Sequence, residues 1–376
     1  MVHAVKVFKK TAPNGKITVY LGRRDFVDTT LNTEPIDGIV VVGDDYLQGR
    51  KVFASVTVTY RFGREEDEVM GLHFSKEMQL TAQEIYPKPA DTKVTEVQDR
   101  LLKKLGNNAY PFSVSLPENA PCSVQLHPGS EGTAKPLGVI YELKVFVADH
   151  KEEKPHKRNS VTLAVRKVQF CPADRYKRHP STLASKGFTF SSGKLDVELT
   201  MNKECFYHGE QVTPKLTITN NSKKTVKSMK CSIVQHIEAT MINSQTTREV
   251  ASLETKEGCP LQPGDRYLKT FYITPLAANT AKFGVALDGR TKDADANLAS
   301  STIMREGTCP NDALGIVVSY SVRVRLNCGA LAGDLVADLP FKLLHPGTEK
   351  VQTKAEEIEF EEFTRLRRGK SVENQL

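Results

Sequence analysis

Apolar and polar residues alternate along most of the chain, the period-two pattern of half-buried strands. The runs "AVKVF" and "KITVYLG" flank "KKTAPNG", whose Pro-Asn-Gly predicts a hairpin turn. The alternation continues in "GIVVVG", "KVFASVTVTYRFG", "VIYELKVFVAD" and "SVTLAVRKVQF", separated by Gly, Pro or charged breaks. Evenly spaced strands of this kind predict a β-sandwich. One segment breaks the rule. In "TEVQDRLLKKLGNN", Val97, Leu101 and Leu105 recur at helical spacing. Thr95 and Gln98 make a capping box and Gly106 a stop, so one longer helix is predicted here.

From Cys171 to Lys186 the sequence "CPADRYKRHPSTLASK" has no period and reads as a hinge. A second series of strands follows, among them "KLDVELTM", "QVTPKLTITN", "KSMKCSIVQH", "YLKTFYIT", "GIVVSYSVRVRL" and "DLVADLPFKLLH". These divide the chain into a first sandwich (1–171), a hinge (172–182), a second sandwich (183–345) and a tether with a tail (346–376). The tail is unlike a solvated tether at one place. In "EEIEFEEFTRLRRGK", five glutamates surround Ile358, Phe360 and Phe363, and a basic run follows.

Length and composition agree with two cores: 376 residues, 39% apolar and 26% charged, describe a folded rather than disordered chain. The N-terminus has no apolar stretch of secretory type, and no run is long enough to span a membrane. Seven scattered cysteines without a C-x-x-C pair predict reduced thiols rather than a disulfide framework or zinc site. The formal charge of +7 predicts an anionic partner: phosphoprotein, acidic lipid or nucleic acid.

Sequence signatures of phosphate-binding loops, nucleophile elbows and zinc peptidases are missing, so an enzyme is not predicted. "DADAN" begins like a calcium loop at Asp293, Asp295 and Asn297. It has Leu298 in place of the turn glycine and Met304 in place of the bidentate glutamate, so no calcium is expected. Patterns of nucleic-acid-binding modules are missing too. The basic clusters "KPHKR" and "RYKRH" read as solvated loops or as phosphate or inositide sites.

Taken in order, eight motifs resemble the arrestin family over nearly the whole chain: "VFKKTAPNGKITVYLGRRDFVD", "FGREEDEVMGL", "RLLKKLGNNAYPF", "HKRNSVTLAVRKVQF", "VALDG", "NLASSTI", "GIVVSYSVRVRL" and "LPFKLLHP". "EIYPKP" and the short tail are most similar to invertebrate visual members. The resemblance implies an all-β fold of two immunoglobulin-like sandwiches joined by a hinge, one short helix in the first domain, and a tail strand folded back on that domain. It also implies cytoplasmic residence, recruitment to an activated, phosphorylated rhodopsin-type receptor, and block of G-protein coupling, with membrane association through the receptor only. No cofactor, metal or nucleic acid is implied. The alternatives are a non-visual, general receptor-trafficking member and an endosomal adaptor built on the same sandwiches; such endosomal adaptors carry PPxY motifs, which this chain lacks.

The resemblance also carries site residues. A buried polar cluster is implied at Asp25, Arg166, Asp288, Asp295 and Arg365. Receptor phosphates are expected at Lys9, Lys10, Arg24, Lys103, Lys104 and Lys292, although Lys103 and Lys104 equally suit a solvated helix face. A tail latch is expected from Val7, Phe8, Val97, Leu101, Leu105, Ile358, Phe360 and Phe363, with Val97 equally a core residue. The finger loop that enters the receptor corresponds to Asp67, Glu68, Val69, Met70, Gly71 and Leu72. Inositol phosphates are expected at Lys154, Lys157 and Arg158, and in the second domain at Lys230, Arg248, Arg323 and Arg325. Phe360, Phe363 and Arg367 match the motif that binds the adaptor AP-2. A clathrin box is lacking, and "ALAGDL" is a degraded second version, so clathrin binding is not carried over.

Overall fold

The computed structural model describes residues 5–29, 33–63, 74–87, 89, 93–117, 119–127, 137–170, 176–189, 192–279, 284–288, 297–304, 315–329, 332–345 and 358–362. The first domain contains β1 (Val5–Thr11), β2 (Ile17–Leu21), β3 (Asp25–Asp28), β4 (Ile36–Val42), the short helix α1 (Asp44–Leu47) and β5 (Lys51–Arg61). It continues with β6 (Ser75–Tyr86), helix α2 (Glu96–Leu105), β7 (Ala109–Val114), β8 (Val124–Leu126), β9 (Leu137–Ala148) and β10 (Ser160–Gln169). The second domain contains β11 (Ser181–Gly187), β12 (Lys194–Thr200), β13 (Cys205–Tyr207), β14 (Lys215–Asn220), β15 (Ser228–Ala239) and β16 (Ser244–Thr255). After these come β17 (Arg266–Thr270), β18 (Ala286–Asp288), β19 (Ile316–Asn327), β20 (Leu335–Leu344) and, from the tail, β21 (Ile358–Glu362).

Each domain is a pair of sheets packed face to face. The first domain sets the sheet β21-β1-β2-β4-β7 against β18-β8-β9-β10-β3, the latter extended by β5 and β6 on the other edge of β9. The second sets β11-β12-β14-β17 against β13-β20-β19-β15-β16. Alternate residues of the facing strands, such as Val19, Val40, Val56, Leu143 and Leu163, are fully buried between the first pair. Burying that apolar surface is what drives the two layers together.

The predicted helix forms as its signals require. Thr95 accepts from the Gln98 backbone and the Gln98 side chain accepts from Thr95 N–H, completing the capping box. The Gln98 amide is also buried and donates to the carbonyls of Gly38 and Phe112, both at 2.8 Å. That bond ties the helix to the sheet beneath it.

The aperiodic reading of Cys171–Lys186 is corrected at its end: Ser181–Gly187 is a strand, ordered by pairing with β12. The long strands β6 and β16 also escaped the pattern, because each pairs along one edge only and carries bulges that break its alternation.

One strand crosses between domains. β18 comes from the second half of the chain but pairs with β8 of the first, with Asp288 opposite Val124. Its other side is held by Gln235 of β15, whose amide donates to the Ala286 carbonyl and accepts from the Ala286 N–H, both at 2.8 Å. Nearby, Gly315 adopts φ +111°, and a side chain there would meet the Tyr60 ring of the first domain at 2.7 Å. Only glycine lets the two domains approach so closely there.

Among the described residues no helix is long and apolar enough to cross a membrane. Five described cysteines, Cys122, Cys205, Cys231, Cys259 and Cys328, are free thiols.

Candidate functional site

The tail segment adds itself to the first domain. β21 lies parallel to β1, with Val5 opposite Ile358, Val7 opposite Phe360 and Lys9 opposite Glu362. Without β21, β1 would end the sheet as an unpaired edge, a template for any extended segment. Side chains alternate along β1, so the strand has two chemically distinct faces.

Val7 occupies the helix side. It is fully buried in a cluster with Tyr20, Ile39, Leu101 and Ala109, against which Val97, Leu102 and Leu105 pack. Phe360 joins this side at the surface: its ring meets Tyr20 edge-on at 5.4 Å, and the Lys104 ammonium lies 4.8 Å from its centroid. Phe8 points to the opposite face, packs on the sandwich core, and carries the Arg24 guanidinium 5.6 Å above its ring. Of the expected contacts of Ile358, Phe360 and Phe363 with Phe8, Leu101 and Leu105, Phe360 therefore lies on the helix side and not on the Phe8 side. Adjacent strand residues cannot share a face. Phe363 and the side chain of Ile358 lie outside the described residues.

The Phe8 side is charged. Lys6 pairs with Glu361 of the tail at 2.5 Å. Glu361 and Asp25 oppose the loss of positive charge on Arg24, whose pKa burial pushes down. Neither Lys6 nor Glu361 was a candidate from sequence. Their meeting depends on the parallel register of two segments more than 350 residues apart, which no local pattern reveals.

Next to them lies the predicted polar cluster. Arg166 on β10 stands directly opposite Asp25 on β3 and holds it in a two-point bond, 2.8 Å from Nε to Oδ1 and 2.5 Å from Nη2 to Oδ2. Asp288 is buried, and its Oδ1 accepts from the Ser300 N–H at 3.1 Å. Burial pushes the Asp288 carboxyl up to about 7, with Arg166 opposing and Asp25 adding to the rise. His208 places Nε2 3.8 Å from Asp288 Oδ2 and 3.1 Å from Ser300 Oγ, and burial drives its pKa down to about 3. His208 was missed in the sequence; nothing in its spacing points to Asp288.

One correction applies to this cluster. The Asp25 side chain is 41% exposed, against 12% for Arg166. β3 is an edge strand, so its carboxylate reaches solvent on one side. Asp295 and Arg365 lie outside the described residues.

The remaining candidates divide by what already holds them. Lys10 donates to the Thr162 carbonyl of β10. Lys103 pairs with Asp99 one turn back on α2, at 2.7 Å, as a solvated helix face would. In the second domain every predicted inositide cation has a partner. Lys230 pairs with Glu249 at 2.9 Å, Arg323 holds Asp338 at 2.8 and 3.1 Å, Arg325 lies 3.8 Å from Asp334, and Arg248 donates to the Thr247 carbonyl. The face is charge-compensated, not a bare basic patch. Lys154, Lys157 and Arg158 sit exposed at the β9–β10 turn, where the His156 ring accepts from the Arg158 N–H. Lys292, the finger loop (67–72), Asp293 and Arg367 lie outside the described residues. Among the described residues no group of His, Cys, Asp or Glu is arranged to hold a metal ion.

Comparison with known proteins matches both halves of the chain to one family. Residues 17–170 match the model of the arrestin (or S-antigen) N-terminal domain, and residues 191–348 that of the C-terminal domain. An arrestin homolog of Locusta migratoria is 57% identical over 347 residues, 92% of this chain and 85% of its own. Phosrestin-1 of Drosophila melanogaster is 52% identical over 94% of this chain and 89% of its own. The lateral-eye arrestin of Limulus polyphemus is 54% identical over 91% of this chain and 85% of its own.

Proposed function

This chain belongs to the arrestin family, whose members bind receptors rather than catalyse reactions, and we propose that it binds light-activated, phosphorylated rhodopsin and ends its signalling. The observation that carries this reading is the engagement of the tail. In the resting chain, Lys6 is taken up by Glu361, Lys104 by the Phe360 ring, and Arg166 by Asp25. These acidic and aromatic groups occupy the very cations that a phosphorylated receptor segment would need.

A phosphoserine or phosphothreonine brings about −1.5 to −2 charges, more than one carboxylate. It can therefore outcompete Glu361 for Lys6 and Arg24 and draw Arg166 from Asp25. Lys9, Lys10, Lys103 and Lys292 extend the same basic track, and lysine suits it as a mobile point charge that accepts varied phosphate spacings. Loss of those contacts frees β21, exposes the β1 edge, and releases the hold of Asp25, Asp288 and Asp295 on Arg166 and Arg365. The finger loop, with Val69, Met70 and Leu72 about Gly71, then enters the receptor cavity that the G protein would occupy.

Released from β1, Phe360, Phe363 and Arg367 become available to AP-2. Inositol phosphates act at the Lys154–Arg158 turn and at the Lys230–Arg325 face. The protein works in the cytoplasm and reaches the photoreceptor membrane through its receptor. The test is a pull-down with light-activated rhodopsin, phosphorylated and unphosphorylated; binding to neither form sinks the reading.

A further inference from the structure

A second ion pair lies one residue along β10 from the phosphate-sensing arginine, and it is more deeply buried. Lys167 is 2% exposed, and its ammonium lies 2.6 Å from Asp28 Oδ2, itself 7% exposed. The same ammonium donates to the Ala120 carbonyl. Alternation along β10 turns Lys167 away from Arg166. The two cations nevertheless hold the same short strand, Arg166 at Asp25 and Lys167 at Asp28, the first and last residues of β3.

Lys167 also grips the segment that leads to Asp288. Its backbone N–H donates to Ser123 Oγ at 2.9 Å, and its carbonyl accepts from the Ser123 N–H at 2.8 Å. Ser123 directly precedes Val124, the residue of β8 paired with Asp288. The network is closed around it: Gln169 donates its amide to the Asp28 carbonyl at 3.1 Å, and the Cys122 thiol faces Gln169 Oε1 at 3.4 Å. The Lys167 ammonium thus ties β3 to Ala120, while its backbone ties Ser123 and, through β8, the strand that carries Asp288.

Stability alone does not account for such a pair. Two apolar side chains of similar volume serve a core as well or better. What they cannot do is hold a carboxylate on one strand and a carbonyl on another at fixed positions. We infer that Lys167 is a positioning residue of the switch, setting where Asp25 and Asp288 stand relative to Arg166 and so how much phosphate is needed to release it. The inference rests on the reading of Arg166 as the phosphate sensor.

The test uses the full chain. Lys167→Met alone leaves Asp28 buried and unpaired, so the informative variant is Lys167→Met with Asp28→Leu. Its melting temperature is expected to equal or exceed the wild type. Its affinity for light-activated, unphosphorylated rhodopsin is expected to rise about tenfold, within the usual range of allosteric coupling, with binding to the phosphorylated form unchanged. Ser123→Ala keeps the ions and removes one strand-to-strand bond; a rise of about twofold in the same direction is expected. Arg166→Glu is the control. Wild-type selectivity in both the double variant and Ser123→Ala, with selectivity lost in Arg166→Glu, overturns the inference. Selectivity retained in Arg166→Glu as well overturns the sensor reading, and the positioning role with it.

Discussion

The ring of Phe360 meets the ring of Tyr20 edge-on, centroids 5.4 Å apart and planes at 62°. Tyr20 belongs to β2, so the tail reaches across β1 to grip its neighbour. Aromatic pairs of this geometry contribute about 0.5–1.5 kcal/mol beyond their buried area. Phe360 is 40% exposed, so its apolar burial adds only part of a full side chain's worth. Phe360→Ala is therefore expected to raise the fraction of released tail about fivefold to tenfold, from roughly 1–1.4 kcal/mol of lost contact. Hydrogen exchange at residues 358–362 is the measurement. Tyr20→Leu should move it the same way and leave the β1–β2 pairing protected.

Arg166 and Asp25 form a two-point charge contact. Reversing the arginine, Arg166→Glu, places two carboxylates face to face and should let unphosphorylated, activated receptor bind. Adding Asp25→Arg restores the pair with exchanged signs and should restore the phosphate requirement. Because Asp25 is 41% exposed, water screens the contact, and the stability cost of the single variant is expected near 1 kcal/mol rather than the several of a fully buried pair. Thermal unfolding of the single and double variants, beside receptor pull-down, checks both parts.

Much of this arrangement was legible before the fold was known. The hairpin, the alternating strands of both sandwiches and the Thr95–Gln98 cap are local signals, and they appear where the residues placed them. Strands β6 and β16 were not legible, because bulges at Leu80, Ile85 and Val250 break the apolar alternation that marks a strand. Tyr20, Lys6, Glu361 and His208 were missed for another reason. Each acquires its role from a partner brought near by sheet order or domain pairing, and sequence distance carries no trace of that. Lys167 was visible only as the residue after Arg166; its burial follows from the 120–123 segment folding over it.

The second-domain basic face makes a different kind of prediction. Lys230, Arg323 and Arg325 already face Glu249, Asp338 and Asp334. A polyphosphate must displace those carboxylates, so they act as competitors. Asp338→Asn with Glu249→Gln is expected to raise affinity for inositol hexakisphosphate several-fold at low salt, with the gain shrinking as salt screens the charges. Titration calorimetry at two ionic strengths measures it. Equal affinity in the wild type and the variant would place the binding elsewhere, at the Lys154–Arg158 turn.

On the proposed reading of Arg166 as the phosphate sensor, Asp288 is expected to make the switch sensitive to pH near neutrality. Burial lifts its carboxyl from 3.8 to about 7, against the pull of Arg166. The other groups at hand do not blur this: His208 titrates near 3 and stays neutral over the window, and the Ser300 N–H carries no net charge. A raised carboxyl favours the neutral form in the folded chain. Its contribution to stability is therefore fully present below about pH 4 and is lost as pH rises through about 7. The effect on the lock has the opposite sense. Below pH 7 the neutral Asp288 no longer attracts Arg166, which leaves Asp25 as its described anionic partner, so less phosphate should suffice to draw the arginine away. Binding to unphosphorylated, activated receptor is expected to rise several-fold from pH 8 to pH 6. In Asp288→Asn that binding should sit at the low-pH level throughout, and the slope of unfolding free energy between pH 5 and 8 should flatten. A wild-type slope in the variant would assign the titration to another group.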